Sequence, residues 1–192
     1  MYRKDVIMDK LNIAILFGGC SPEYSVSLES AHAVITHLDR TRYTPMLIGI
    51  SPSGDWYYFT GDVEKIRLDT WNNPTDCATA LVSPDRSARA LLAPSSGKRI
   101  RLDAAFPILH GRNGEDGTVQ GIFELAGIPL VGCGVLASAL CMDKDRAHKL
   151  VQAAGVAVPA SAVLEREMDA DEALAAAETL GYPLFVKPVR AG

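Results

Sequence analysis

The stretch NIAILFGG, residues 12–19, decides how the rest of the chain is read. It is apolar from Ile13 to Phe17 without a break and closes on Gly18 and Gly19. A strand that is apolar at every position is buried on both faces, as in a parallel sheet covered by helices. Directly downstream, Val26, Ala33, Val34 and Leu38 recur at helical spacing, which predicts a helix over residues 23–38. TPMLIGI at 44–50 predicts a second strand, with Pro45 tolerable near its start. Strand, helix and strand within residues 12–50 make a βαβ unit, which implies a parallel sheet with a right-handed crossover.

Outward from this unit the pattern changes. Residues 51–103 hold turn-rich stretches (SPSGDWYYFTG, WNNPTDC) and short apolar pieces at 80–82 and 91–92, and read as an insertion of short strands and loops. Trp56, Tyr57 and Tyr58 are its expected core. The sheet pattern returns at 104–109, followed by a glycine-rich polar loop at 110–117, a helix at 118–126 and a strand at 128–131. The composition shifts at Gly132-Cys133-Gly134, which places a domain boundary near residue 133. Beyond it the pattern predicts helices at 135–142, 144–154 and 170–180, with strands at 160–164 and 183–187. Two strands are few for a sheet of its own, so this second domain reads as unfinished.

The chain has 192 residues, 48% hydrophobic and 22% charged. At that size folding buries roughly 70% of the unfolded surface, which suits a soluble α/β protein and excludes a disordered chain. The net charge is −4 and the pI about 5.5, against the basic balance of a nucleic-acid binder. The polar start MYRKDVIMDK and the short apolar run after it fit neither an export signal nor a membrane span, and Met8 is a candidate for an alternative start. Cys20, Cys77, Cys133 and Cys141 lack paired spacing and read as free thiols of a cytoplasmic protein, and no zinc site is expected.

Four places could carry chemistry. The turn Gly18 to Glu23 lies where open parallel sheets bind ligands, beyond the carboxyl end of a strand. It lacks the dinucleotide glycine pattern. Glu23 reads either as an acid favouring a helix start or as a partner for a substrate ammonium. The loop His110-Gly111-Arg112-Asn113-Gly114-Glu115-Asp116-Gly117 follows an apolar strand and precedes a helix that Asp116 or Thr118 can cap. It reads either as a solvated turn or as an active-site loop. Lys144 is either part of a charged helix start or a ligand, and Lys187, ending an apolar strand, is either a snorkelling lysine or a phosphate ligand. His32, His37 and His148 stay on helix surfaces.

Taken together, ILFGGCSPEYSVSLES (15–30), FPILHGRNGEDGTVQGIFELAGIP (106–129), SALCMDKDRAHKL (138–150) and YPLFVKPVRAG (182–192) resemble, in this order, the D-alanine–D-alanine ligase family of the ATP-grasp superfamily. LVSPDR (81–86), GIFELAGIP and CMDKDRAHKL look more like the vancomycin-resistance type, and within it the D-alanine–D-serine ligases. The resemblance implies a three-layer, Rossmann-like pre-ATP-grasp domain over residues 1–133 and the beginning of an ATP-grasp domain over 134–192. It implies ATP and Mg²⁺ as cofactors, D-alanine and a second D-amino acid as substrates, neither nucleic acid nor membrane as partner, and a homodimer through the first domain.

The resemblance also assigns roles by position. Glu23 matches the acid that binds the ammonium of the first D-alanine, and Val26 and Ser27 match residues that shape that subsite. His110 matches the histidine near the first substrate's carboxylate, and Glu115 an acid that orients the loop. Lys144 and Lys187 match the two lysines that contact ATP phosphates. The family's adenine pocket, its magnesium ligands and the serine after KP-x-R-x-G have no counterpart in these residues. The 192-residue chain is therefore expected to be catalytically incompetent alone. The alternatives are a housekeeping D-alanine–D-alanine ligase, a non-catalytic dimerising module, or an ATP-grasp ligase acting on a different carboxylate.

Overall fold

The computed structural model describes residues 9–190, so Met8 lies outside the described residues. The chain falls into two compact units, one reaching Ala139 and the other Leu140–Ala191. The turn at residue 133 stands just before the helix Val135–Met142, and the compact units part within that helix.

The first unit is built on β1 (Leu11–Gly18), α1 (Tyr24–His37) and β2 (Tyr43–Ile50). β1 and β2 run parallel, with Ile15 opposite Leu47. Next in the chain are β3 (Trp56–Phe59), α2 (Glu64–Arg67) and β4 (Cys77–Thr79). The chain then forms β5 (Leu81–Val82), β6 (Ala90–Ala93) and β7 (Lys98–Arg101), which pair as a separate three-stranded sheet. β8 (Ala104–Pro107) returns to the free side of β1, parallel to it. The main sheet has the order β4-β3-β2-β1-β8.

This α/β sheet is mixed rather than wholly parallel, because β3 pairs antiparallel to β2. The reason is the length of the connection. Residues 51–55 form a tight turn, in which Ser51 N–H donates to the Asp55 carbonyl at 2.9 Å. A parallel return needs a crossover of a dozen or more residues. The strand expected at 128–131 is reduced to one parallel bridge, Leu130 to Ala105. Pro129 has no N–H to extend it.

Alternation along β1 divides the core. Ala14 and Leu16 face α3 (Thr118–Leu125) and the small sheet, packing with Phe123, Leu91 and Leu102. Ile13, Ile15 and Phe17 face α1, packing with Leu28, Ala31 and Ile35. Each buried Leu, Ile or Phe among them contributes about 1.5–3 kcal/mol by leaving water. Within the insertion, Trp56, Tyr57 and Tyr58 are only half-buried, and the fully buried aromatics are Phe59 and, with no exposed surface, Trp71. The Trp71 ring meets Phe17 edge-on at 4.9 Å. It also rests on Gly49, where a Cβ would lie 2.3 Å from the indole.

The second unit, described by itself, holds the end of α4 (Val135–Met142), then α5 (Lys144–Ala153) and α6 (Ala170–Glu178). Asp143 caps α5 by accepting the Arg146 N–H at 3.0 Å. Asp169 and Glu172 close a capping box on α6. The strands expected at 160–164 and 183–187 do not form among the described residues. A strand exists only where a neighbour takes its backbone hydrogen bonds, and these stretches are exposed along most of their length. Among the described residues no helix is long and apolar enough to cross a membrane.

Candidate functional site

The site of the first unit is built at the carboxyl ends of β1 and β8. At the end of β1 the chain turns through Gly18 and Gly19, both at positive φ. A Cβ on Gly18 would lie 2.2 Å from the Ile50 carbonyl oxygen, so only glycine fits this turn. Glu23 stands at the N-terminal cap position of α1. One turn further, Ser27 is fully buried. Its hydroxyl accepts the Gly18 N–H at 2.9 Å and donates to the Ile108 carbonyl. Ser27 thus ties together the ends of the two strands that carry the site loops. Val26, on the next face of α1, is half exposed.

The second loop leaves β8 through buried Ile108 and Leu109. His110 Nε2 lies 3.3 Å from Ser30 Oγ, and the His110 carbonyl accepts the Ser21 hydroxyl at 2.8 Å. Glu115 does not point across the site. Its Oε2 accepts the Gly111 N–H at 2.7 Å and closes the loop on itself. Burial pushes the Asp116 carboxyl up, but hydrogen bonds from Thr118 and from the Asn113 and Thr118 N–H groups outweigh it and hold it below its ordinary range. Gln120 donates to the Gly114 carbonyl at 2.8 Å, and its buried Oε1 has no partner in the protein.

The two loops meet at Gly111. A Cβ there would lie 2.6 Å from Glu23 Oε2 and 3.3 Å from Ser21 Cβ. Glu23, Ser27 and His110 are therefore brought together, with Glu115 bracing the backbone beneath them. Ser21 and Ser30 belong to the same cluster and went unassigned in the sequence. Positions 23, 27 and 30 share one helix face, and that spacing is the signal that would have found Ser30.

In the second unit, Lys144 opens α5, and its N–H donates to the Val189 carbonyl at 3.0 Å. Arg190 reaches the Asp143 carboxylate at 2.8 Å. The segment after Lys187 is thus drawn to the start of α5. The Lys187 side chain is exposed, with Nζ 6.0 Å from the Phe185 ring centre. Among the described residues no cluster of three or more His, Cys, Asp or Glu side chains is placed to hold a metal ion. A groove of about 590 Å³ lies between β3, β5 and α3, and it holds none of the candidate residues.

The family model "D-ala D-ala ligase N-terminus" matches residues 12–133, which span both site loops and all of the main sheet but Leu11. The chain belongs to the D-alanine–D-alanine ligase family. It is 42% identical over 187 residues to the vancomycin/teicoplanin A-type resistance protein VanA of Enterococcus faecium, covering 96% of this chain and 51% of VanA. It is 41% identical over 191 residues to the D-alanine–D-alanine ligase of Caldicellulosiruptor bescii, covering 96% of this chain and 52% of that ligase. Among solved structures, the VanG D-Ala:D-Ser ligase of Enterococcus faecalis superposes with a TM-score of 0.84 at 50% identity. That match covers 96% of this chain and 53% of VanG. The chain spans about half the length of the family members it matches.

Proposed function

We propose that this chain supplies the first-substrate half of an ATP-dependent ligase that joins D-alanine to a second D-amino acid. The observation that carries the reading is the meeting of the two loops at Gly111, which sets the Glu23 carboxylate against the residue that follows His110. A carboxylate there suits a substrate ammonium, and the His110 ring, 3.3 Å from Ser30 Oγ, suits a substrate carboxylate. Glu23 holds the amine, Ser27 fixes the strand ends, and Glu115 keeps the second loop closed. Val26 borders the subsite.

The reaction divides into two displacements. The substrate carboxylate oxygen attacks the terminal phosphorus of ATP, and ADP leaves. The amine of the second D-amino acid then attacks the acyl carbon, the carbon–oxygen bond to phosphate breaks, and phosphate leaves with the amine proton released. Alignment of two bound substrates supplies much of the rate. Lys144 and Lys187 open the second unit's part of the reading, the start of the nucleotide domain. Compact cations suit polyphosphate and offset repulsion between two anionic reactants. The described residues do not form a magnesium site, and no ligand of that ion is assigned to this chain.

D-serine is the acceptor this reading favours, supported among solved structures by 50% identity to the VanG D-Ala:D-Ser ligase against 31% to the D-alanine–D-alanine ligase of Coxiella burnetii. The test is ADP release with ATP, Mg²⁺ and D-alanine, adding D-serine or D-lactate in separate reactions and detecting products by mass. It compares the 192-residue chain with the longest form its gene encodes. The expected result is D-alanyl-D-serine from the longest form and no product from the 192-residue chain. Predominant D-alanyl-D-alanine would make the protein a housekeeping ligase, and no ligated product at all would sink the reading.

A further inference from the structure

We infer that Ser21 is a positioning residue that couples the two site loops through one oxygen atom. The inference rests on Glu23 and His110 forming the subsite for the first D-amino acid. The Ser21 hydroxyl donates to the His110 carbonyl at 2.8 Å and accepts the Glu23 N–H at 3.1 Å. A serine hydroxyl offers one donor and two acceptor sites. Here the donor goes to the loop after β8, and an acceptor serves the turn after β1. Ser21 Cβ also borders Gly111, the residue against which the Glu23 carboxylate rests.

No other side chain among the described hydrogen bonds joins the backbone of Glu23 to that of His110. Removing the hydroxyl frees both backbone groups at a half-buried position. Water can satisfy them, but a mobile water does not fix the distance between the loops. The Glu23 carboxylate then loses its set direction toward the amine. An ammonium contact is made equally in the bound substrate and in the transition state, so its loss raises KM and leaves kcat nearly unchanged.

The test uses Ser21→Ala, Ser21→Thr and Glu23→Gln. In the longest natural form, Ser21→Ala is expected to raise KM for the first D-alanine about tenfold, with kcat within about twofold, and Ser21→Thr to restore it. In the 192-residue chain, amide hydrogen exchange at Glu23 is expected to accelerate in Ser21→Ala, to recover in Ser21→Thr, and to leave the β1 amide of Ile15 unchanged. Wild-type KM and wild-type Glu23 exchange in Ser21→Ala would overturn the proposal. So would equal losses in Ser21→Ala and Ser21→Thr accompanied by a lower Tm, which would mark a purely structural residue. Glu23→Gln separates the two levels. If it leaves KM unchanged, the substrate reading fails. If it raises KM while Ser21→Ala does not, the subsite stands and the coupling role fails.

Discussion

The two compact units differ most in what they hide. In the first, Ala14, Ile15, Leu16 and Phe17 of β1 have no exposed surface. In the second, the buried side chain among the described residues is a charged one, Asp143, while Phe185 and Val186 are 89% and 88% exposed. Both units have capped or well-spaced helices, so helices do not distinguish them. The sheet does. A helix satisfies its own backbone and needs little beyond a cap, whereas a strand needs a neighbour and a covered face. The first unit has both. In the second, the apolar stretch at 183–187 stays unpaired.

The largest expected effect tests that contrast directly. Phe17→Ala should cost the first unit about 3–5 kcal/mol, because the vacated volume lies between Trp71 and Phe59. Phe185→Ala should change stability by no more than about 0.5 kcal/mol. Calorimetry sees both units, and comparable losses would mean that the second unit has a core after all.

A smaller effect concerns the latch between α1 and the insertion. The Tyr24 hydroxyl accepts the Trp71 indole N–H at 3.0 Å and donates to Asp69 at 2.7 Å. Tyr24→Phe leaves the indole N–H without its acceptor and should cost about 1–2 kcal/mol in a urea titration followed by tryptophan fluorescence. An unchanged midpoint would show that the latch is incidental. Burial, with the Asp69 hydrogen bond next, pushes the Tyr24 phenol up to about 12. A raised value favours the protonated folded form. Its contribution is complete below the ordinary value near pH 10 and is lost between about pH 10 and 12. Tyr24→Phe should remove that alkaline decline.

The smallest effect lies at the opposite end of the pH scale, in the second unit. The Arg146 backbone N–H, and then Arg190, hold the Asp143 carboxyl below its ordinary range. Its contribution is therefore present above about pH 4 and fades as the pH falls through the lower folded value. Far-UV circular dichroism should show α5 fraying in acid, and Asp143→Asn should flatten that limb. An identical acid limb in the variant would remove Asp143 from the account.

How far the sequence could be read follows the same physics. Helices carry their evidence locally, so residues 135–142 match α4 end to end, and α1, α3 and α5 fall within a residue of expectation. Pairing is non-local. The reversal at β3 depended on the shortness of the 51–55 turn, and the unpaired stretches at 160–164 and 183–187 carry the composition of strands without a neighbour. Trp71 opens a polar turn-rich stretch and has no periodic context, so its burial could not be seen. At the site, Glu23 and His110 stood out by residue type and place, and Ser27 only through the family resemblance. Ser21 did not, because a serine beside a proline reads as ordinary turn chemistry until its partner, distant in sequence, is known.

Trp71 also limits how this protein can be taken apart and recombined. The indole fills the space above Gly49 on β2 and hangs from Tyr24 on α1, so residues 51–103 are not a cassette. A donor segment lacking a tryptophan at this place would leave a hollow over Gly49. A recipient with any larger residue at position 49 would reject the indole outright. Chimeras within the family should therefore exchange position 24, position 49 and the insertion as one inherited block.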